Sequence, residues 1–326
     1  MNDWVLTGVD TSPCPRRPSW SASDARLAGF DRLVDRWQSF GRTYTDDGDG
    51  DFEDWVEALC RIDAAVSVLG AERCWISGMI SPGLFTNAAS GVSVPAVPGA
   101  RWWGPVARFD QRPEGCDWQA TAASRYATSP VFARFAGRSV VTVDDSGLDH
   151  ATAVAAAAAQ SGRAWVKVNR PKYGIVRLEV GQRWSEVEEL LLAAAHLEGE
   201  PDAFVVYPDV SMEFETRFFV VDGRPVTGAG CVESLTPLDG EARFDPKMER
   251  IRGDGAIVSR PDVMADHRAF AEVAAARFAA DGVRFCSLDI ATGADGPLVV
   301  EFNSLLNSGL YASEPAAVIA ALDRCR

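Results

Sequence analysis

The stretch 286–303, CSLDIATGADGPLVVEFN, constrains this chain more than any other, because two alternating runs flank a glycine-containing turn. Residues 287–291 and 297–303 read as strands, and 293–296 supply the turn chemistry between them. With Ala294, Asp295 and Gly296 as a three-residue loop, Asp289 falls directly across from Glu301. Strand residues two apart share a face, so Glu301 and Asn303 point the same way, beside Asp289. Leu288, Ile290, Val300 and Phe302 then take the opposite, apolar face. Two carboxylates and an amide oxygen on one face are hard-oxygen ligands of the kind Mg²⁺ uses where it bridges phosphates. An ordinary half-exposed hairpin with its polar residues outward has the same alternation, so the rest of the chain must decide.

Composition narrows the classes. The 326 residues, 47% apolar and 24% charged, are those of a globular protein large enough for two domains. No run approaches the roughly 18 apolar residues of a membrane span. The opening MNDWVLTGVD lacks a basic segment before an apolar one, so cytoplasm is the expected location and no membrane partner is expected. Seven cysteines without a CxxC pair and three histidines without ligand-spaced neighbours argue against zinc, a disulfide framework and a histidine-based triad. A net charge of −14 argues against general nucleic-acid binding. The acidic run TDDGDGDFED is no calcium loop: with Gly50 as the loop glycine, Thr45 and Val56 would take the end ligand positions.

Along the chain, residues 4–9 suggest a strand. Residues 25–40 suggest an amphipathic helix capped by Ser23 or Asp24, and 52–69 a helix closed by Gly70. A strand over 74–80 leads into a Gly/Pro/Ser-rich loop over 81–100, and these alternating elements suggest a small N-terminal α/β domain. A second unit starts near Ser129, with segments 130–135 and 139–144 on either side of Gly137. An Ala-rich helix over 148–161 then ends at Gly162. In the following strand, AWVKVN, Lys167 is the single charge, and the loop RPKYG behind it carries Lys172. Such a pair can grip phosphates from two sides, although a lone strand lysine more often reaches solvent. After a helix over 185–196, the strand AFVVY leads into a hairpin turning at Asp222-Gly223, whose first strand places Glu215 and Arg217 on one face. The acid suits ribose hydroxyls and the arginine a phosphate or carboxylate, whereas the plain alternative is a surface ion pair worth under about 1 kcal/mol. Residues 228–259 look like an irregular excursion, and 266–280 a helix that delivers the chain into the opening hairpin. Beyond it, SLLNSGLYASEP carries Ser304, Asn307, Ser308 and Tyr311, and borders whatever the metal would face.

Taken in order, WVKVNRPKYG, FVVYPDVSMEFETRFFVVDGRPV, the helix before the hairpin and SLDIATGADGPLVVEFNSLLNSGLY resemble an ATP-grasp domain, from about Pro130 to the C-terminus. Within that superfamily the chain is similar to the group with one arginine and two lysines at the phosphate site. The resemblance implies an α/β (α+β) ATP-grasp fold over residues 126–326, behind the smaller α/β domain of residues 1–125. It implies ATP and Mg²⁺ as cofactors, with Arg138 or Arg134, Lys167 and Lys172 on the phosphates and Val206, Tyr207, Asp209 and Val210 in the adenine hinge. Glu215, or else Glu213, would take the ribose, and Asp289, Glu301 and Asn303 would hold the metal. Lys172 would act on the transferred phosphoryl group and Arg217 would stabilise that group or the substrate carboxylate, Arg217 replacing the cation that related ligases place where Ser287 stands here. The glycine-rich phosphate lid of many relatives is reduced here to residues 171–174. The implied activity is ligation of a small carboxylate to an amine, amino acid or peptide among them, through an acyl phosphate. A phosphotransferase or a non-catalytic MgATP-binding regulator are the alternatives. No nucleic-acid partner is expected, and a homodimer is compatible with the sequence.

Overall fold

The computed structural model describes residues 3–7, 14–15, 24–44, 51–77, 84–104, 130–168, 175–186, 203–305 and 308–325. The chain opens with β1 (Trp4–Thr7), α1 (Asp24–Ser39), α2 (Phe52–Leu69) and β2 (Cys74–Ser77). Because α1 already includes Asp24, that residue is not its cap. α2 has the expected bounds: the Asp51 side chain accepts from the Asp54 N–H at 2.9 Å, and Gly70 ends the helix at φ 92°. β1 pairs in parallel with β2 and with β5 (Arg101–Trp103). Where a loop was expected over 81–100, β3 (Phe85–Asn87) and β4 (Ser93–Val94) extend this sheet to the order β4-β3-β2-β1-β5. The Asn87 side-chain oxygen accepts from the N–H groups of Ala89 and Ser90 at 3.1 Å, turning the β3–β4 hairpin.

The middle of the chain supplies α3 (Pro130–Phe135), β6 (Val141–Val143), α4 (Leu148–Ala158), β7 (Arg163–Val168), β8 (Ile175–Glu179) and β9 (Phe204–Pro208). Its strands form an antiparallel sheet, β6-β9-β7-β8, with α4 packed on β7 and β9 through Leu148, Ala155, Val166 and Phe204. The expected helix over 185–196 lies, from residue 187, outside the described residues.

A further sheet, β11-β10-β14-β15, is built from β10 (Glu213–Val221), β11 (Arg224–Gly230), β14 (Cys286–Gly293) and β15 (Gly296–Asn303). Asp222 and Gly223, at φ 52° and 71°, turn the β10–β11 hairpin, as the Asp-Gly pair predicts. The excursion 228–259 is less irregular than expected, since it includes the end of β11 and a ribbon of β12 (Lys247–Glu249) and β13 (Ile257–Ser259). α5 (Pro261–Ala280) starts five residues before the expected helix, with Pro261 in the first turn, where proline fits. It packs on the sheet through Ala271, Ala274 and Phe278, while Val273 stays exposed.

The β14–β15 hairpin corrects the sequence reading in one detail. Gly293 faces Gly296, so the turn holds two residues rather than three, and a register shift next to Ile290 leaves Val300 as the extra residue. The two departures cancel, and Asp289 still faces Glu301 while Leu288 faces Phe302. Val299, fully buried opposite Ile290, takes the core position expected of Val300. Last comes α6 (Pro315–Arg324), whose Val318, Ile319 and Leu322 share one apolar core with Leu33, Val56, Leu59, Phe219 and Leu310. Elements from both ends of the chain therefore close the same core. Among the described residues, no helix is long and apolar enough to cross a membrane.

Candidate functional site

Adjacent strands β10 and β14 place Arg217 opposite Asp289. Arg217 Nε donates to Asp289 Oδ1 at 2.8 Å and Nη2 to Oδ2 at 2.7 Å, a two-pronged ion pair with both residues buried. The ring of Tyr311 lies 5.1 Å from the guanidinium carbon. One strand over, Glu301 is bound by Lys167 of β7 and by Asn303, whose Nδ2 donates to Oε1 at 2.7 Å. Lys167 thus joins the two sheets. Burial pushes the Glu301 carboxyl upward, but Lys167 and the Asn303 hydrogen bond outweigh it and hold the group near a pKa of about 2. Asn303 Oδ1 is buried without a hydrogen-bond partner among the described residues. A buried acceptor left open beside a carboxylate suits a hard cation, so Asp289, Glu301 and Asn303 have the donor chemistry for Mg²⁺.

Glu215 lies on the same ligand-facing side. Its carboxylate, that of Asp289 and the Cys231 thiol bring ligand atoms within 4.8 Å of one another. Burial, reinforced by Asp289 and opposed by Arg252 and Arg217, raises the Glu215 carboxyl to about 7. Burial likewise drives the Cys231 thiol well up. Arg252 reaches Glu215 and Glu233 at 3.4 Å and the Tyr311 hydroxyl at 3.3 Å. Glu213 is paired with Arg250 at 2.9 Å. Phe214, at φ 55° beside a register shift, breaks the strand alternation between Glu213 and Arg217.

The other expected residues fall in varied surroundings. Arg138 donates to the carbonyls of Ala136, Val299 and Val300 at 2.9–3.2 Å, and its guanidinium sits 4.6 Å from the Tyr207 ring centre. The bulge at Val300 leaves backbone carbonyls that need a donor, and Arg138 supplies it. Arg134 is exposed. Burial raises the Tyr207 phenol, with Arg138 and Lys167 opposing and Glu301 reinforcing, so Tyr207 stands among the groups expected at the phosphates. Val206 is paired on both sides, to Val141 and Val166, whereas β6 pairing stops there and leaves that side of Tyr207 open. The Asp209 N–H donates to the Arg163 carbonyl at 2.9 Å, and its carboxylate accepts from Trp165 Nε1 at 2.8 Å. Val210 is half-buried. Ser304 and Ser308 are buried, and Ser308 Oγ meets the Ser304 carbonyl at 2.7 Å and Ser287 Oγ at 2.6 Å. Lys172 and Asn307 lie outside the described residues.

The sequence reading missed Arg252, Glu57 and Arg61. Arg252 is one of many charges in an excursion taken as irregular, and Glu57 and Arg61 read as an ordinary i,i+4 pair on α2.

Residues 148–322, more than half of the chain, match the family model described as an ATP-grasp domain, family 3 of its clade. No curated protein matches the chain. Among solved structures, the RimK domain protein ATP-grasp from Sphaerobacter thermophilus is 14% identical, with 82% of this chain and 94% of that one covered and a TM-score of 0.48. D-alanyl-alanine synthetase A from Vibrio cholerae is 12% identical, covering 99% of this chain and 93% of that one at a TM-score of 0.46. The D-cycloserine synthetase DcsG is 18% identical, with 98% of each chain covered and a TM-score of 0.42.

Proposed function

The chain belongs to this family of ATP-grasp domains, and on that premise we propose that it is an ATP-dependent ligase joining a small carboxylate to an amine. The observation that carries the reading is the convergence, on one face of β10-β14-β15, of the Arg217–Asp289 and Lys167–Glu301 pairs beside the open Asn303 oxygen. A carboxylate oxygen of the first substrate attacks the γ-phosphorus of ATP, the bond to the β–γ bridging oxygen breaks, and ADP leaves. The amine lone pair then attacks the acyl carbon of the acyl phosphate, the bond to the phosphate oxygen breaks, and the amine loses a proton, giving amide and phosphate.

Asp289, Glu301 and Asn303 are the residues that would hold Mg²⁺, which would supply positive charge to offset the charge that develops in phosphoryl transfer. In this reading Lys167 moves from Glu301 to a phosphate oxygen as the nucleotide enters, a short transfer for a flexible ammonium. Arg138, held at the bulge, reaches the site through Tyr207, so its part is to fix the adenine and phosphate wall. The backbone beyond the two-sided pairing of Val206, from Tyr207 toward Asp209 and Val210, reads the adenine. For the ribose, Glu215 is favoured, because Arg252 holds it more loosely, at 3.4 Å, than Arg250 holds Glu213, at 2.9 Å. Arg217 is anchored by Asp289 and balances the charge that develops in transfer. In the loop after Asn303, the Ser308 hydroxyl is taken up by the Ser304 carbonyl and Ser287, so of the described side chains Tyr311 is assigned to the acceptor. The first third of the chain is given the part of helping to keep water from the acceptor.

An ADP-release screen of amino acids and small carboxylates against amine acceptors, with mass detection of the product, tests the reading. ADP release that requires both acid and amine, with a product lighter than their sum by one water, is expected. Release with one acceptor and a stable phosphorylated product would instead identify a phosphotransferase.

A further inference from the structure

Glu57 and Arg61 are a buried charge pair on α2, 8% and 4% exposed and joined at 3.1 Å, that no step above employs. Buried charges are costly unless their remaining valences are satisfied. Among the described residues Arg61 Nε finds no partner, while the other hydrogen bonds of the pair run to one short piece of chain. Glu57 Oε1 accepts from the N–H groups of Leu310 at 2.7 Å and Tyr311 at 2.9 Å, and Arg61 Nη2 donates to the Ser308 carbonyl at 3.0 Å. From the opposite side, Arg217 Nη1 donates to the Gly309 carbonyl at 3.4 Å. A Cβ on Gly309 would stand 3.6 Å from Glu57 and 3.7 Å from Arg217, so one peptide unit separates the helix acid from the site arginine. Tyr311 sits at φ 48°, a backbone region a non-glycine residue rarely occupies, and it is held there by the paired N–H groups converging on Glu57.

We infer that Glu57, oriented by Arg61, is a positioning residue that fixes residues 308–311 against Arg217 and so sets where the transferring phosphoryl group meets its cation. The inference rests on the reading of the Arg217–Asp289 face as the phosphoryl-transfer site. It makes α2, some 250 residues away in sequence, part of that site's geometry.

The test uses the full chain with Glu57→Gln, which keeps the shape, and Arg61→Gln, which leaves the Glu57 oxygen in place. Amide exchange is followed in peptides covering 308–313 and in α2, and calorimetry measures MgADP with and without aluminium fluoride, a mimic of the transferring phosphoryl group. For Glu57→Gln, exchange in 308–313 is expected to rise about tenfold or more with α2 unchanged. MgADP affinity should stay within about twofold while the aluminium fluoride complex weakens about tenfold or more, and Arg61→Gln should give a smaller form of the same split. Exchange rising equally in α2, or failure of Glu57→Gln to fold, makes the pair a scaffold and overturns the inference. A loosened loop with an undiminished fluoride complex overturns it too, and both outcomes leave the ligase reading standing. A wild-type chain that does not bind MgADP removes that reading and the inference together.

Discussion

Asp289 and Glu301 face each other across one hairpin yet answer to different cations, so matched substitutions have unequal effects. Glu301→Gln removes the counter-charge of Lys167 at a side chain that is 26% exposed, where water can reach the freed ammonium, and is expected to lower ADP release about a hundredfold or more while costing less stability than the Asp289 change. Asp289→Asn leaves the buried Arg217 guanidinium without its counter-charge and is expected to cost about 3–5 kcal/mol of stability as well as activity. Urea unfolding of both variants beside ADP-release rates separates the two effects, and equal stability losses would refute this difference. The face that Asp289, Glu301 and Asn303 share was legible because a strand repeats every two residues. The partners were not: Arg217 meets Asp289 across 72 positions and Lys167 meets Glu301 across 134, and no local period reports such distances.

Among the elements, α5 is tied to its sheet by a polar thread through an apolar layer. His267 is 1% exposed, with Nδ1 2.9 Å from Thr216 Oγ1 and Nε2 2.8 Å from Thr292 Oγ1. Burial pushes its imidazole down from 6.5 to about 4. Because the folded state resists a proton that the unfolded chain accepts, this stability is complete above pH 6.5 and declines as the pH falls toward 4. At pH 5 the loss is about 2 kcal/mol. Urea unfolding at pH 7.5 and 5.0 should show the wild type losing more than His267→Gln, and parallel losses would sink the assignment. Element bounds were readable where punctuation was strong, as at Asp51 and Gly70 around α2. β3 and β4 were hidden, because their hairpin is made by one asparagine side chain inside a stretch whose glycines, prolines and serines signal loop.

For the whole molecule, the core that the first third builds around α2 includes Phe219, Leu305, Leu310 and the α6 residues Val318, Ile319 and Leu322. Arg73 and Asp323 add a 2.6 Å ion pair, and Arg101 caps α6 by donating to the Leu322 carbonyl at 2.7 Å. Removing residues 315–325 would uncover three fully buried aliphatic side chains' worth of α2 surface, a loss of roughly 5 kcal/mol or more, enough to unfold many domains. The intact chain is expected to unfold with tryptophan fluorescence and far-ultraviolet circular dichroism coincident in urea. Two separated transitions would contradict a common core.

The extra residue at Val300, steadied by Arg138, means that the tip of the β14–β15 hairpin and its acidic face need not keep step. A strand pair normally transmits any change in turn length along its whole ladder and turns each side chain over. Here a residue gained or lost at 294–295 can be taken up before the chain reaches Glu301. A one-residue change of the tip is therefore expected to leave the orientation of Asp289, Glu301 and Asn303 in place.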